Sequence, residues 1–318
     1  MSWALSLKLK AFFTEKTFYY TLAPIAALSL AVILMLISIL AWKSIPILDK
    51  EGLSFITKSA WRPSETNPSL EFYGILAPLL GTLYTSAIAL ALATPASLAL
   101  AILTTEYAPE KARGLLEAIT DLMVGVPTVI YGLWGAFILA PLLKKYVMNP
   151  LYNHFSFIPL FSKQPITGES ILTAGVILAV MITPFMTGLI RESINMIPWS
   201  LREAVASLGA TRFECIRVLM SLLKPAVIAS ALLGLGRAAG ETIAVSLTIG
   251  NCYGISICLF TPSYTISSLI ANQFPNAGFY HYMQSALYAA GLVMLLISIA
   301  FSVVGVKLLY RWRGVLHG

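Results

Sequence analysis

The feature that most constrains the fold of this chain is a set of six apolar stretches, each long enough to cross a bilayer as a helix. A helix rises about 1.5 Å per residue, so about 20 apolar residues cover a hydrocarbon core of roughly 30 Å. Hydrophobic residues make up 58% of the chain and charged residues only 11%, less than half the usual share for a soluble domain. We therefore expect an all-α integral membrane protein with six transmembrane helices. The expected spans cover roughly residues 21–42, 76–103, 122–143, 171–190, 226–249 and 286–309.

The distribution of basic residues predicts the topology of these helices. The first stretch is expected to be a retained helix, because its apolar run is too long for the core of a signal peptide. With a cytoplasmic N-terminus, thirteen of the 21 Lys and Arg residues lie on the cytoplasmic side, seven lie outside, and Arg237 lies in the membrane. The positive-inside rule therefore predicts that both termini are cytoplasmic in an inner, cytoplasmic membrane. The expected segments are a cytoplasmic N-terminus at 1–17, a first helix at 18–42, an external loop at 43–75, a transmembrane domain at 76–309 and a cytoplasmic tail at 310–318.

The fifth stretch carries two charges near its centre, Arg237 and Glu241. A charge in the middle of a membrane helix costs about 2.5–3.5 kcal/mol, so the pair indicates a functional site. In one continuous helix, the i, i+4 spacing places both side chains on the same face. Small residues beside them would let a helix or a solute approach the backbone closely. We predict a polar pathway site for an anion, made by Arg237, Glu241, Gly236, Gly240 and Thr242.

Three interpretations of this pair are open at the level of sequence. Arg237 could bind an anionic solute with its planar fork of donors, while Glu241 accepts a hydrogen bond from that solute or from Arg237. The two residues could instead form a structural ion pair between helices, although buried ion pairs stabilise less than apolar packing does. In the third interpretation, Glu241 carries a proton in a secondary carrier.

Residues 197–225, between the fourth and fifth stretches, predict a helix–turn–helix. Leu201, Val205 and Leu208 recur at helical spacing on one side of the first helix. Gly209 can adopt a positive φ and end that helix. The alternative is a basic amphipathic helix that lies on the membrane surface.

The same loop resembles the EAA loop of ABC importer permeases. Glu203-Ala204, then Gly209, then a basic run that begins at Arg212 carry the resemblance. In that family the loop docks into a groove on an ATPase subunit. The resemblance implies that Glu203, Ala204, Gly209 and Arg212 couple this chain to an ATPase, and a secondary carrier has no use for such a loop. Val205 departs from the family pattern, because a second alanine is usual there.

Longer segments are similar to the phosphate-specific permeases of that family. The Tyr-Gly-Leu-Trp run in the third span favours the PstC type over the PstA type, whereas Gln273 stands where an acidic residue is expected. The similar segments are GTLYTSAIALALATPASLALAILTTEYAP at 81–109, GVPTVIYGLWG at 125–135, GLGRAAGETIAVSLTIGN at 234–251 and SYTISSLIANQF at 263–274.

The resemblance implies a type I ABC importer permease of MetI-like architecture that translocates inorganic phosphate. It also implies a second permease of PstA type, a dimer of ATP-binding subunits of PstB type and an external phosphate-binding protein of PstS type. No cofactor is expected on this chain, because ATP would be used by the ATPase partner. Sulfate or molybdate as the cargo, and a proton-coupled secondary anion carrier, are the alternatives.

Several absences narrow the function further. No Gly is followed by Lys, so the chain has no GxxxxGK[ST] phosphate loop and is not expected to be the ATPase or any other enzyme. The three cysteines form no CxxC and have no histidine partner at metal-ligand spacing, so no metal site is expected. The formal charge of +7 is spread between apolar stretches, which favours membrane topology over a nucleic-acid partner.

Three further local features yield predictions. Gly125 and Pro127 interrupt the third stretch and predict a bend that lines the pathway. Asp121 precedes them and is expected to cap the N-terminus of the third span. Cys252 and Cys258 fall on the external side, where they could close a small disulfide loop or remain free thiols.

Overall fold

The computed structural model describes residues 15–317, with side chains described at residue 20 and over 22–312. Residues 1–14 of the predicted N-terminal segment and Gly318 of the predicted tail lie outside the described residues. The α-helices are, in chain order, α1 Glu15–Glu51, α2 Ser54–Thr57, α3 Leu76–Ile102, α4 Glu110–Gly125, α5 Thr128–Trp134, α6 Ala140–Leu143, α7 Asn149–Phe155, α8 Ile171–Asn195, α9 Trp199–Ser207, α10 Arg212–Gly240, α11 Ile243–Thr248, α12 Ile266–Gln273 and α13 Met283–His317. The strands β1 Trp61–Arg62 and β2 Phe72–Tyr73 pair antiparallel.

Within the described residues, six helical segments are long and apolar enough to cross a membrane. The all-α architecture with six spans is therefore confirmed. The largest differences from the predicted boundaries are in three spans: the first helix continues to Glu51, the third span covers Thr128–Phe155, and the fifth covers Arg212–Gly240. The six segments are Leu22–Glu51, Leu76–Tyr107, Thr128–Phe155, Ile171–Asn195, Arg212–Gly240 and Met283–Trp312.

Helix α8 forms the centre of the bundle. It begins at Ile171 and is capped by Ser170, whose side chain accepts a hydrogen bond from the backbone N–H of Thr173 at 3.3 Å. Leu178 and Ile182 of α8 are buried against Ala89 and Ala93 of α3. These alanines allow the two backbones to approach closely, as small residues do in membrane helix pairs. Helix α10 packs on both α8 and α13, and α1 packs mainly on α13.

The two ends of the bundle differ. At the end where α9 lies, called the α9 end here, Ile190, Ile194, Leu219 and Trp312 form a buried apolar cluster. The indole nitrogen of Trp312 donates to the carbonyl of Leu222 at 2.6 Å, which ties α13 to α10. The opposite end carries the β1–β2 hairpin.

A buried carboxylate, Glu71, organises the opposite end. Its side chain is only 2% exposed. It accepts hydrogen bonds from the Tyr73 hydroxyl at 2.9 Å and from the backbone N–H groups of His281 and Tyr282 at 3.0 Å each. Burial, together with the bond to Glu71, raises the pKa of Tyr73, so the hydroxyl stays protonated and remains a donor. The segment 43–75, predicted as an external loop, contains the last turns of α1, helix α2 and this anchored hairpin, and its external location stays a prediction.

Candidate functional site

The fifth span ends at the predicted site and does not continue through it. Helix α10 stops at Gly240, and Glu241 has an extended backbone with φ −69° and ψ 125°. The short helix α11 then begins at Ile243. The prediction of one helix over 226–249 is therefore wrong, and so is the placement of Arg237 and Glu241 on one helix face. Glycine at position 240 favours the break, because it is a poor helix former.

Glu241 takes hydrogen-bond partners of its own beyond that break. Its carboxylate accepts the backbone N–H of Ala244 at 3.3 Å, which caps the start of α11. Its carbonyl accepts the hydroxyl of Ser267 at 2.7 Å. The ion pairs among the described side chains are Arg191–Asp121 and Arg202–Glu106. The interpretation of Arg237 and Glu241 as a structural ion pair is therefore wrong in this structure.

Arg237 lies on the last turn of α10 and is exposed at the surface of the chain. Its guanidinium carbon lies 5.4 Å from the centre of the Phe185 ring, and Tyr131 is among its neighbours. Tyr131 donates its own hydroxyl to the carbonyl of Met123 at 2.9 Å. Among the described side chains and backbone groups, none forms a hydrogen bond or ion pair with Arg237. An aromatic face stabilises the cation without using its N–H groups, so the fork of five donors stays available for an anion.

The small residues of the predicted site have different surroundings. A Cβ at Gly236 would lie 3.0 Å from the Ser302 hydroxyl, so Gly236 faces α13 and serves helix packing. Its role as a pathway residue stays a prediction. Gly240 is exposed with open space around it, one turn from Arg237. Thr242 is half-buried and donates its hydroxyl to the carbonyl of Gly240 at 3.3 Å.

Gly125 and Pro127 separate two helices, and they do not bend a single one. Gly125 ends α4, and Pro127 directly precedes α5 with an extended ψ of 135°. The predicted bend within a span is therefore wrong. The break gives α5 a new direction, in which it packs on α11: a Cβ at Gly132 would lie 3.0 Å from the Cα of Ala244. Because of this packing, Tyr131 lies near Arg237.

Asp121 does not cap the third span either. It lies in the last part of α4, a helix that precedes the span, and its carboxylate bonds Arg191 of α8 at 3.1 Å. The prediction failed because the start of the apolar stretch at residue 122 was taken as the start of a helix.

The predicted helix–turn–helix is present in residues 197–225. Helix α9 ends at Ser207, and Gly209 follows with a φ of +78°. The backbone N–H of Thr211 then donates to the Glu214 carboxylate at 2.8 Å, and the hydroxyl of Thr211 accepts the backbone N–H of Glu214 at 3.4 Å. This capping box starts α10. The second helix is longer than predicted, because α10 continues through the fifth span.

The surface around α9 is exposed and partly apolar. Glu203 and Ala204 are both exposed, as a docking surface requires. Trp199, Leu208 and Phe213 are 69%, 86% and 67% exposed. Large apolar side chains exposed this far at one site are typical of a protein contact surface.

Arg212, predicted to contact an ATPase, bonds within the chain. Its guanidinium donates to the carbonyl of Glu106 and lies 5.1 Å from the centre of the Tyr107 ring. Glu106 also pairs through its carboxylate with Arg202 of α9 at 2.6 Å. Sequence reasoning missed Glu106. The available signal was an acidic residue placed directly after an apolar span and followed by Tyr-Ala-Pro.

Of the two alternatives for Cys252 and Cys258, a disulfide loop or free thiols, this structure has the free thiols. Both thiols are free; Cys252 is exposed, whereas Cys258 is buried beside Met148 and Phe260. Among the side chains that the structure describes, no group of three or more His, Cys, Asp or Glu could hold a metal ion.

Comparisons with known proteins bear on this arrangement. Residues 93–313 match the family described as "Binding-protein-dependent transport system inner membrane component". The chain is 47% identical over 272 residues to the "Probable phosphate transport system permease protein PstC" of Methanocaldococcus jannaschii, covering 86% of each protein. It is 36% identical over 293 residues to the "Phosphate transport system permease protein PstC" of Xylella fastidiosa, covering 91% of this chain and 88% of that protein. A solved structure of the MetNI methionine ABC transporter aligns with 74% of this chain and 94% of its own at 18% identity and a TM-score of 0.47.

Proposed function

We propose that this chain, which belongs to the family of binding-protein-dependent transport system inner membrane components, is the permease subunit of an ATP-driven importer of inorganic phosphate. Membership in the family rests on the match over residues 93–313 and on relatives that are 47% and 36% identical over most of their length. Those relatives are named as phosphate transport system permeases, and this supports phosphate as the cargo. The importer would have a type I, MetI-like architecture in the cytoplasmic membrane.

The observation that carries the proposal is the unpaired guanidinium of Arg237 at the end of the fifth span. A charge in a membrane span is costly, by about 2.5–3.5 kcal/mol, and this one has no counter-ion among the described side chains. Phe185 covers one region of the group and leaves its N–H donors free. A guanidinium of this kind binds a tetrahedral oxyanion through two parallel hydrogen bonds. An arriving phosphate would therefore supply the missing negative charge.

We assign to Glu241 the selection of phosphate over sulfate. One of its carboxylate oxygens accepts from Ala244, and the other has no hydrogen-bond partner among the described residues. A carboxylate accepts hydrogen bonds and donates none when ionised. Monohydrogen phosphate offers one P–OH donor to it, whereas sulfate offers no donor and would leave the two negative groups in contact.

We assign the exposed surface at the α9 end to the proposed ATPase partner. Exposed Glu203 and Ala204, with the apolar side chains of Trp199, Leu208 and Phe213 nearby, form a surface that an ATPase dimer of PstB type would cover. A second permease of PstA type and an external binding protein of PstS type complete the proposed importer. Both termini would be cytoplasmic. This chain would bind no cofactor and would not hydrolyse ATP; it would alternate between outward and inward access as the ATPases close and open.

The test is uptake of radiolabelled phosphate by the reconstituted complex, with unlabelled phosphate, sulfate and molybdate as competitors. We expect uptake that requires ATP and that only unlabelled phosphate suppresses. Suppression by sulfate or molybdate would assign the chain to another oxyanion. Uptake driven by a proton gradient without ATP would contradict the importer class.

A further inference from the structure

Three arginines converge where membrane helices end at the α9 end. The second span closes with a wider turn of helix over Leu103–Tyr107, and the last carbonyls of any helix lack partners within the helix. Arg113 of α4 donates to the carbonyl of Thr105 at 2.6 Å, and Arg212 of α10 donates to the carbonyl of Glu106. Arg202 of α9 donates to the carbonyl of Ile194, in the last turn of α8, at 3.1 Å. Each arginine therefore fastens its own helix to the end of another.

Arg202 is the member of this set that holds two spans at once. Its second terminal nitrogen bonds the carboxylate of Glu106 at 2.6 Å, and the two side chains are only 17% and 15% exposed. The guanidinium is planar and rigid, so its two bonds fix the distance between Ile194 of α8 and Glu106 beyond α3. Of the ion pairs among the described side chains, this one alone reaches α9.

Apart from the Arg202–Glu106 ion pair, helix α9 makes few contacts that could transmit its movement to the second span. None of its nine residues is buried, so apolar packing does not hold it against the bundle. The chain itself joins α9 to α8 on one side and to α10 on the other, but not to α3. A cavity of about 570 Å³ lies beside the pair, lined by Thr105, Arg113 and Trp199 among others. The Arg202–Glu106 pair therefore spans a gap across which side-chain packing would not transmit a displacement of α9.

We propose that Arg202 and Glu106 form a relay that passes displacement of α9 to the second membrane span. The relay rests on the proposed function, in which an ATPase moves α9. When α9 shifts, Arg202 pulls the carboxylate of Glu106 and with it the end of the second span, while the chain connection moves α8. Arg202 and Glu106 are thus positioning residues for coupling, and neither contacts the cargo.

The first experiment measures ATP hydrolysed per phosphate imported by the complete reconstituted complex. Glu106→Gln and Arg202→Gln should each raise that ratio roughly tenfold, which is the change that loss of one charge-assisted hydrogen bond supports. The double variant should be no worse than Arg202→Gln alone, because Glu106 has already lost its bond to the guanidinium in that single variant. Arg202→Lys should give an intermediate ratio, because a point donor reaches one partner but not both.

The matched control is Asp121→Asn, which removes the other ion pair. That pair connects α4 to α8 and does not contact α9, so the number of ATP molecules hydrolysed per phosphate imported should stay at the wild-type value. A merely structural contact would behave differently from a relay: uptake and hydrolysis would fall together in Glu106→Gln, with the ratio unchanged. That result would overturn the relay, and so would loss of the ATPase from the purified Arg202→Gln complex.

A second measurement does not depend on which solute is carried. Spin labels at Leu92 of α3 and Ile299 of α13, both exposed, report the position of the second span. In the otherwise unchanged complex, ATP should alter the distance between the labels, and Glu106→Gln should abolish that change. Persistence of the change in Glu106→Gln would overturn the relay even if the complex carried another oxyanion. A wild-type complex that shows the ATP-dependent change but takes up no phosphate would overturn the proposed cargo and leave the relay supported.

Discussion

The turn at Gly209 determines how α9 is presented to a partner, and Gly209→Val is the perturbation that tests it. The residue has a φ of +78°, a conformation that glycine adopts freely and that a β-branched residue rarely adopts. No atom lies within 4 Å of a Cβ at this position, so a side chain would meet no neighbour. The whole effect of the substitution therefore comes from backbone conformation.

The magnitude follows from that conformation. Holding an L-residue in the left-handed region costs about 1–2 kcal/mol, and β-branching puts valine at or above the upper limit. Since about 1.4 kcal/mol corresponds to a factor of ten in an equilibrium constant, affinity for the ATPase should fall by roughly 10- to 30-fold. Gly209→Asn should cost much less, because asparagine tolerates the left-handed region.

The assay is copurification and titration of the ATPase against membranes that contain each variant, with insertion checked separately. Gly114→Val is the control, because Gly114 lies in helix α4 without a positive φ and also has open space around it. We expect wild-type affinity for Gly114→Val, near wild-type affinity for Gly209→Asn and weak binding for Gly209→Val. Normal ATPase binding and normal transport in Gly209→Val would refute the reasoning.

Two further predictions concern the other parts of the chain. A thiol reagent should label Cys252 in the folded protein and Cys258 only after unfolding, both without reductant; a requirement for reductant would establish the disulfide instead. Glu71→Gln keeps the shape of the side chain but weakens its three accepted hydrogen bonds, so the free energy of unfolding should fall by about 2 kcal/mol. Glu65→Gln, at an exposed position of the same segment, is the control, and equal thermal stability of the two variants would contradict the anchoring role of Glu71.

The spans could be predicted from the sequence because their signal is local. A run of about 20 apolar residues identifies a membrane helix without knowledge of its neighbours. The turn at Gly209 was predictable for the same reason, since a glycine after an amphipathic run has a local meaning. The end of the fifth span was not predictable in this way, because Glu241 leaves the helix where its carbonyl bonds Ser267, 26 residues further along the chain.

The roles of the buried Glu71 and the half-buried Glu106 could not be predicted from the sequence for a similar reason. Glu71 bonds a backbone N–H 210 residues away, and Glu106 bonds a guanidinium 96 residues away. Spacing in a single sequence carries no information about such pairs. Pro127 illustrates a different limit: a proline two residues after a glycine indicates an interruption, but it does not distinguish a kinked helix from two separate helices. Only the packing of α5 on α11 decides between them.

The most direct test of the central claim is phosphate uptake by complexes that carry Arg237→Lys or Arg237→Gln, with Arg311→Gln as the control for loss of an exposed arginine. All three complexes should assemble, because Arg237 makes no hydrogen bond or ion pair with the described residues. Arg237→Lys should impair uptake, since it keeps the charge but not the fork, and Arg237→Gln should abolish it while Arg311→Gln transports normally. Uptake near the wild-type rate by an assembled Arg237→Gln complex would contradict the claim that Arg237 binds the anion.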